Sequence, residues 1–260
     1  MSTQAHTPGT ALVTGAANRL GAAMAEALAA AGWAVVIHHR SGADAARALA
    51  ARLTAAGGRA AMLRADLAVR RQRRTLIARA GTKFGPLTLL VNNASSFEPD
   101  AVTDLDEALW DRHFAVHVEA PAFLARDFAA QLPAGAEGSI VNIIDERVLH
   151  LTPNYFSYTL SKAALWTMTQ TLAQALAPRI RVNAIGPGPT LAEKGRSTAS
   201  FRRAQAALPL GRGADPSDIA AALLYLVSAR AVTGQMLAVD GGRHLDFPAT
   251  RGPTPRKPAK

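Results

Sequence analysis

Short apolar runs alternate with alanine-rich stretches from one end of the chain to the other. The apolar runs predict seven strands, over Ala11–Thr14, Ala34–His38, Ala60–Arg64, Leu87–Asn92, Ser139–Ile144, Arg181–Ile185 and Met236–Val239. The stretches between them predict helices over Leu20–Ala31, Ala43–Ala56, Val69–Gly81, Leu105–Leu132 with a break near His113, Tyr155–Ala177 and Ser217–Ser228. This alternation predicts an α/β fold, with a doubly wound parallel seven-stranded sheet and helices on both faces.

Composition limits the class of protein further. The chain has 260 residues, of which 49% are hydrophobic and 18% charged, so it can form a large core and is not disordered throughout. There is no cysteine, which excludes disulfides and thiolate metal sites, and we predict no metal. Residues 1–9 do not resemble a signal peptide, and no apolar run approaches the roughly 20 residues that span a bilayer. We therefore expect a cytoplasmic protein without a membrane partner.

The net charge of +10 makes a nucleic acid or an anionic small molecule a possible partner. Part of this charge lies in residues 246–260, a basic, proline-containing tail that we expect to be disordered, like residues 1–9. A second cluster, Arg70, Arg71, Arg73 and Arg74, has no aromatic residues between its members. We interpret it as a solvated helix face rather than a nucleic-acid surface.

The first predicted strand leads directly into a glycine-containing turn, Thr14-Gly15-Ala16-Ala17-Asn18-Arg19-Leu20-Gly21. Glycines allow a pyrophosphate to approach the backbone, and the N-terminus of the following helix attracts an anion. Such turns also precede helices for purely conformational reasons, so the motif alone is weak. Its position in the first βαβ unit favours dinucleotide binding.

The end of the second strand distinguishes between the two nicotinamide cofactors. An acidic residue there would bind the adenosine ribose of NAD, whereas the sequence has Ile37-His38-His39-Arg40-Ser41. Arg40, Ser41 and Arg19 suit a 2′-phosphate, so we predict NADPH, although these groups could be ordinary surface charges. Asp66 is placed either to meet the adenine amino group or to cap a helix.

A tyrosine and a lysine, Tyr158 and Lys162, stand four residues apart and therefore on one helix face. A nearby ammonium should lower the pKa of the phenol towards the range of acid–base catalysis. Tyr155 has Thr159 at the corresponding position, so Tyr158 is the better candidate.

Together, the turn at Thr14–Gly21, Asn92-Asn93-Ala94, Tyr158 with Lys162, Pro187-Gly188 and Asp240-Gly241-Gly242 resemble the short-chain dehydrogenase/reductase family in order and spacing. The resemblance implies one Rossmann-like domain over residues 10–245 and a homotetramer. It implies a cofactor site formed by Gly15, Arg19, Leu20, Gly21, His38, Arg40, Ser41, Asp66, Leu67, Asn92, Ala94, Tyr158, Lys162, Pro187 and Gly188.

Two departures from the usual family pattern narrow the subfamily. Arg19 stands where most members have glycine, and Asp145 stands where most have a catalytic serine. With His38 to Ser41 and Ser95-Ser96-Phe97, this pattern is similar to pteridine reductases. The ending Asp240 to Leu245 and His117 are more similar to bacterial dihydromonapterin reductases.

By this resemblance, the catalytic set is Asp145, Tyr158 and Lys162, and the substrate would be a pterin or folate whose C=N bond accepts a hydride. Phe97 would stack on the pterin and Ser95 would hydrogen-bond to it, alongside Asp145 and Tyr158. Phe97 could instead be a core aromatic, and Asp145 could form a salt bridge with Arg147.

His117 replaces the family's relay asparagine and could equally be a satisfied buried histidine, so we leave it outside the catalytic set. We expect Pro187–Gly213 to be a long loop, a candidate lid that sets substrate choice. A carbonyl reductase of the same fold is the alternative function. A non-catalytic NADP-binding or nucleic-acid-associated protein is a remote one.

Overall fold

The computed structural model describes residues 8–192 and 197–245. Seven parallel strands form one sheet in the order β3-β2-β1-β4-β5-β6-β7. The strands are β1 (Thr10–Val13), β2 (Ala34–His39), β3 (Arg59–Arg64), β4 (Leu87–Asn92), β5 (Gly138–Ile143), β6 (Ile180–Pro187) and β7 (Met236–Val239). The helices are α1 (Arg19–Ala30), α2 (Ala43–Ala55), α3 (Arg70–Arg73), α4 (Leu76–Phe84), α5 (Glu107–Phe114), α6 (Ala120–Gln131), α7 (Phe156–Leu176), α8 (Thr198–Ala206) and α9 (Pro216–Ser228).

All seven predicted strands are present, and the predicted doubly wound parallel sheet is confirmed. The chain starts at β1 in the interior of the sheet, builds outwards through β2 and β3, and then crosses to β4 on the other side of β1. In open parallel sheets, ligands bind where the strand order reverses, at the carboxyl ends of the strands. The topology therefore predicts a crevice between the ends of β1 and β4.

Two apolar layers cover the faces of the sheet. One layer packs residues such as Met24, Leu49 and Leu223 of α1, α2 and α9 against the strands. The opposite layer contains Leu76 and Phe128, from α4 and α6. Because helices cover both faces, the central strands are buried on both sides, which explains their continuous apolar runs.

The predicted helix over Val69–Gly81 is two helices, α3 and α4, separated around Thr75. Arg70, Arg71 and Arg74 are exposed as expected, but the prediction was wrong for Arg73, which is buried. Its guanidinium donates to the Leu67 carbonyl at 3.1 Å and to Glu119 at 3.2 Å. The ion pair and the hydrogen bonds together compensate for removing this charge from water.

Two further predictions needed correction. The region predicted as helix Leu105–Leu132 begins at Glu107 and contains a π-helical turn at Ala115–Glu119 in place of a break. The predicted loop Pro187–Gly213 contains α8, whose first turn is capped by the Ser197 hydroxyl accepting from the Ser200 amide at 3.1 Å. Residues 193–196 of that loop lie outside the description, as do residues 1–7 and the whole basic tail, 246–260.

Within the described ranges, no helix is long and apolar enough to cross a membrane.

Candidate active site

The turn after β1 is held by side chains from two neighbouring strands. The Thr14 hydroxyl donates to the Val91 carbonyl and accepts from the amides of Asn93 and Ala94, at 2.9–3.2 Å. The Asn93 amide group donates to the carbonyls of Thr14 (2.8 Å) and Gly15 (3.1 Å). Sequence reasoning had named Asn93 only as part of a motif; its role depends on the pairing of β1 with β4 and has no local signal.

Close packing explains why glycine is needed at two positions of this turn. Gly15 has φ +63°, and a Cβ there would lie 2.9 Å from the Ala94 Cα. A Cβ at Gly21 would lie 2.5 Å from the Gly15 carbonyl oxygen. The turn therefore leaves an open backbone surface at the N-terminus of α1, the arrangement that accommodates a phosphate.

Arg19 begins α1 with φ +55°, in the left-handed region that favours glycine. Its guanidinium donates to the carbonyls of Leu191 at 3.4 Å and Ala192 at 3.3 Å. Arg19 thus connects the turn after β1 to the segment after β6, and it also lines the adjoining cavity.

His38 holds the turn from the β2 side. Its Nδ1 accepts from the Gly15 amide at 3.0 Å, so its Nε2 carries the proton that is donated to the Ala65 carbonyl at 3.1 Å. Burial lowers the pKa of His38 to about 4, which keeps the ring neutral. Both ring nitrogens are therefore used within the protein, although His38 also lines the cavity, and its predicted contact with the cofactor stays a prediction. Arg40 and Ser41 are exposed at the cavity wall.

Two other predicted cofactor residues, Asp66 and Asn92, form hydrogen bonds within the protein. Asp66 lines the cavity with Leu67, and its Oδ1 accepts from the Ala68 amide at 3.0 Å. The N-cap of α3 is Val69, so Asp66 does not cap that helix, and its contact with adenine stays a prediction. Asn92 is buried, and its Nδ2 donates to Asn142 Oδ1 of β5 at 2.8 Å. The neighbouring Asn93, instead of Asn92, lines the cavity.

One cavity of about 1020 Å³ follows the carboxyl ends of the strands. The predicted site residues that line it are Gly15, Arg19, Leu20, Gly21, His38, Arg40, Ser41, Asp66, Leu67, Ala94, Ser95, Phe97, Asp145, Tyr158, Lys162, Pro187 and Gly188. Its volume is at the upper end of the range for ligand pockets, which fits a large cofactor together with a second ligand.

The predicted catalytic residues meet in this cavity. The Tyr158 hydroxyl donates to Asp145 Oδ2 at 2.9 Å, and Lys162 Nζ donates to the Ile143 carbonyl at 2.8 Å. Asp145 follows the end of β5, whereas Tyr158 and Lys162 lie one turn apart on α7. The lysine ammonium is 5.6 Å from the centre of the tyrosine ring.

Burial dominates the electrostatics of these groups. It raises the pKa of Asp145, lowers the pKa of Lys162 to about 8, and raises the pKa of Tyr158 well above its usual value. The Asp145 carboxylate raises the Tyr158 pKa further, so the prediction that Lys162 lowers this pKa was wrong. Tyr158 is a proton donor here, and Asp145 has an increased tendency to hold a proton.

An aromatic pair forms one wall beside Tyr158. Phe97 stacks on Tyr155 with ring centres 4.5 Å apart, and it meets the edge of Tyr158 at 4.8 Å. The Arg147 guanidinium lies 4.6 Å from the Tyr155 ring centre, and its Nε is 3.9 Å from Asp145 Oδ1. Asp145 therefore makes both of the contacts considered from the sequence: it accepts from Tyr158 and forms an ion pair with Arg147. Tyr155 and Arg147 had not been predicted in the site.

His117 has the surroundings of a satisfied buried histidine. Its Nε2 lies 3.0 Å from the Ser95 hydroxyl and accepts from the Ser96 amide at 3.1 Å, while Nδ1 is 2.8 Å from the Ser161 hydroxyl. The π-helical turn places it there. These contacts fix Ser95 at the cavity wall.

The fold and the site define a nucleotide-dependent oxidoreductase with a tyrosine–lysine pair. Residues 15–244 match the family described as Enoyl-(Acyl carrier protein) reductase. The chain belongs to the short-chain dehydrogenase/reductase family of oxidoreductases.

Several proteins of known structure or activity are similar to this chain. The structure is similar to FolM alternative dihydrofolate reductase 1 from Brucella canis, in complex with NADP, at 49% identity and a TM-score of 0.89, covering 92% of this chain and 94% of the other. The Brucella suis protein, also with NADP, gives the same identity and TM-score, covering 92% and 96%. A cis-4-hydroxycyclohexanecarboxylate dehydrogenase from Sinomonas cyclohexanicum is 37% identical, over 89% of this chain and 95% of that protein. NADP, the predicted cofactor, is the one in both Brucella structures.

Substituting Gly15→Ala should weaken NADPH binding at least roughly tenfold, because the new Cβ meets Ala94 and the backbone has a positive φ. Titration followed by NADPH fluorescence measures this. Gly81→Ala, in α4 with no atom within 4 Å of the new Cβ, is the matched control and should bind like the wild type. Wild-type affinity in Gly15→Ala would contradict the assignment of this turn as the binding site of the cofactor phosphate.

His38 makes stability depend on pH. Its folded-state pKa of about 4 lies below the ordinary value of 6.5, so its stabilisation is complete above pH 6.5 and is lost as the pH falls through 4. This loss amounts to roughly 3 kcal/mol. In urea unfolding at fixed protein concentration, the destabilisation by His38→Gln should therefore shrink between pH 7 and pH 4. His150→Gln serves as the control, and an unchanged difference for His38→Gln would refute the assignment.

Proposed function

We propose that this protein is an NADPH-dependent reductase that transfers hydride to a C=N bond of a pterin or folate. The observation that carries the proposal is the hydrogen bond from the Tyr158 hydroxyl to the partly buried Asp145 carboxyl, in a cavity walled by Phe97. A ketone reductase needs a donor to oxygen, for which a tyrosine suffices. A C=N bond needs a proton at nitrogen, and a carboxyl with a raised pKa is suited to supply it.

The residues around the first turn fit NADP. A dinucleotide phosphate would lie against the open backbone at Gly15 and the N-terminus of α1. Arg40 and Ser41, exposed at the cavity wall, would hold the 2′-phosphate, with Arg19 nearby. Lys162 would hold the nicotinamide ribose. When bound, NADPH supplies the hydride.

The chain's own residues would then manage the proton and the orientation of the substrate. Phe97, which is 39% exposed, would stack on the flat substrate ring, and Ser95 would hydrogen-bond to it. Tyr158 and Asp145 share one proton network and would deliver a proton to the ring nitrogen. Arg147 holds Asp145 from the opposite side, through its own amide at 2.9 Å and its guanidinium at 3.9 Å.

The relatives support this proposal and one alternative. The Brucella proteins, at 49% identity, have a dihydrofolate reductase name, which favours a pterin-type substrate. Curated relatives at 35–37% identity include dehydrogenases of hydroxycyclohexanecarboxylates and a 3beta-hydroxysteroid dehydrogenase, which act on alcohols by name. A carbonyl reductase is therefore the second candidate. The homotetramer and the pterin specificity stay predictions, and the basic tail of the remote nucleic-acid alternative lies outside the described residues.

The direct test is NADPH consumption with dihydrofolate, dihydrobiopterin and dihydromonapterin, alongside a panel of ketones. We expect turnover of at least one pterin with little ketone activity. Turnover of ketones alone would favour the carbonyl reductase, and no pterin turnover would reject the proposed substrate class.

Asp145→Asn should lower kcat for the pterin by about 10²- to 10⁴-fold, since the amide preserves the shape but cannot deliver the same proton. The Kd for NADPH should change little, which stopped-flow binding can verify. Glu137→Gln, at an exposed ion pair with Arg230, is a control of the same chemical change. Retention of full activity by Asp145→Asn would contradict its catalytic role.

Arg40→Ser should reduce the preference for NADPH over NADH by about 10- to 100-fold, the effect of losing a charge-assisted hydrogen bond. The ratio of kcat/KM values for the two cofactors measures it. Arg47→Ser removes an exposed arginine of α2 that pairs with Asp44 and should leave the ratio unchanged. An unchanged ratio in Arg40→Ser would place the 2′-phosphate elsewhere.

A further inference from the structure

An ion pair between Glu146 and Arg243 lies in the same cavity as the catalytic residues and is not used in the proposed proton transfer. Two short 3₁₀ turns, Glu146–Val148 after β5 and Arg243–Leu245 after β7, contact each other at the carboxyl edge of the sheet. Arg243 and Glu146 form an ion pair, with Arg243 Nε 3.2 Å from Glu146 Oε1. Both side chains line the same cavity as Tyr158.

The ion pair is asymmetric in its exposure and its contacts. The Glu146 side chain is 3% exposed and the Arg243 side chain 32%. Glu146 Oε2 is buried without a hydrogen-bond partner among the described residues. Among the described residues, Glu146 is the carboxylate that pairs with Arg243. Their contact is at Nε of the arginine, so its two Nη groups can donate to another acceptor.

The charge of Glu146 only partly neutralises this arginine. Burial raises the pKa of Glu146 to about 7, and Asp145 and Asp240 raise it further, against the lowering by Arg243 and Arg147. Near neutral pH, the pair therefore retains part of the positive charge of the guanidinium. An arginine fork held at one nitrogen by a buried carboxylate is preorganised to bind a second carboxylate.

We propose that Arg243, oriented by Glu146, is a specificity-determining residue that binds a carboxylate on the tail of the substrate. This inference rests on the proposed function and deepens it: the site would prefer a pterin with an acidic tail, such as a dihydrofolate, over a pterin with a neutral tail. Asp145 and Glu146 are consecutive, so one turn would address both the reacting ring and the tail.

The test compares dihydrofolate with dihydrobiopterin, which shares the ring but has no carboxylate. Arg243→Met should lower kcat/KM for dihydrofolate about 10- to 100-fold more than for dihydrobiopterin. Glu146→Gln should shift the ratio the other way, because it removes a competing charge and keeps a hydrogen-bond acceptor. Arg147→Met should affect both substrates alike, since Arg147 contacts Asp145.

Equal losses with both substrates in Arg243→Met, or a selective loss in Arg147→Met instead, would overturn the assignment. A rise in the Km for NADPH in Arg243→Met would also overturn it, by indicating that the arginine binds a cofactor phosphate.

Calorimetry separates this inference from the proposed function. We expect p-aminobenzoyl-L-glutamate, the acidic tail without the pterin, to bind the NADP-loaded wild type and to bind Arg243→Met at least about tenfold more weakly. No binding, or equal binding by both proteins, would reject the subsite, whether or not any pterin is turned over.

Discussion

The site depends on the close approach of the first turn to β4. A single hydroxyl, that of Thr14, joins β1 to Val91, Asn93 and Ala94, and the ring of His38 secures Gly15 from β2. This network requires β1 to lie between β2 and β4, as it does in the doubly wound sheet. It leaves no room for a side chain at Gly15 and keeps the backbone open at the N-terminus of α1. The same edge of the sheet then carries Phe97, Asp145 and Tyr158 into one cavity.

Exclusion of water determines the chemistry at the other end of that cavity. Burial raises the pKa values of Asp145 and Tyr158 and lowers that of Lys162, so each group is shifted towards its neutral form. Protonated Asp145 and Tyr158 are suited to donating a proton. The shift of Lys162 and the hydrogen bond from its ammonium to the Ile143 carbonyl make the lysine a fixed support on α7. In the proposed reaction, Tyr158 and Asp145 would therefore begin in the protonated forms that can deliver a proton.

Local patterns and fixed spacing predicted the strands, the glycine turn and the pair of Tyr158 and Lys162. The family resemblance added Asp145 to that pair. Neither predicted contacts that depend on side chains from distant segments. His38 was predicted as a cofactor residue, and nothing in its local sequence indicates that its ring bridges Gly15 and Ala65. The π-helical turn that places His117, and α8 within the predicted loop, depend on packing and capping that periodicity does not express. Likewise, Glu146 and Arg243 are about a hundred residues apart in sequence, and only the adjacency of β5, β6 and β7 brings them together.

The position of the substrate ring relative to Phe97 tests the proposed function most directly. Phe97 stacks on Tyr155, and the proposed reduction of a pterin would place the substrate ring between Phe97 and the nicotinamide. A structure of the ternary complex with NADP⁺ and a dihydropterin should therefore show the flat ring against Phe97. A ring nitrogen should lie within about 2.6–3.2 Å of Tyr158 or Asp145. A ligand bound away from Phe97, with no ring nitrogen near either proton donor, would contradict the assignment of this site to pterin reduction.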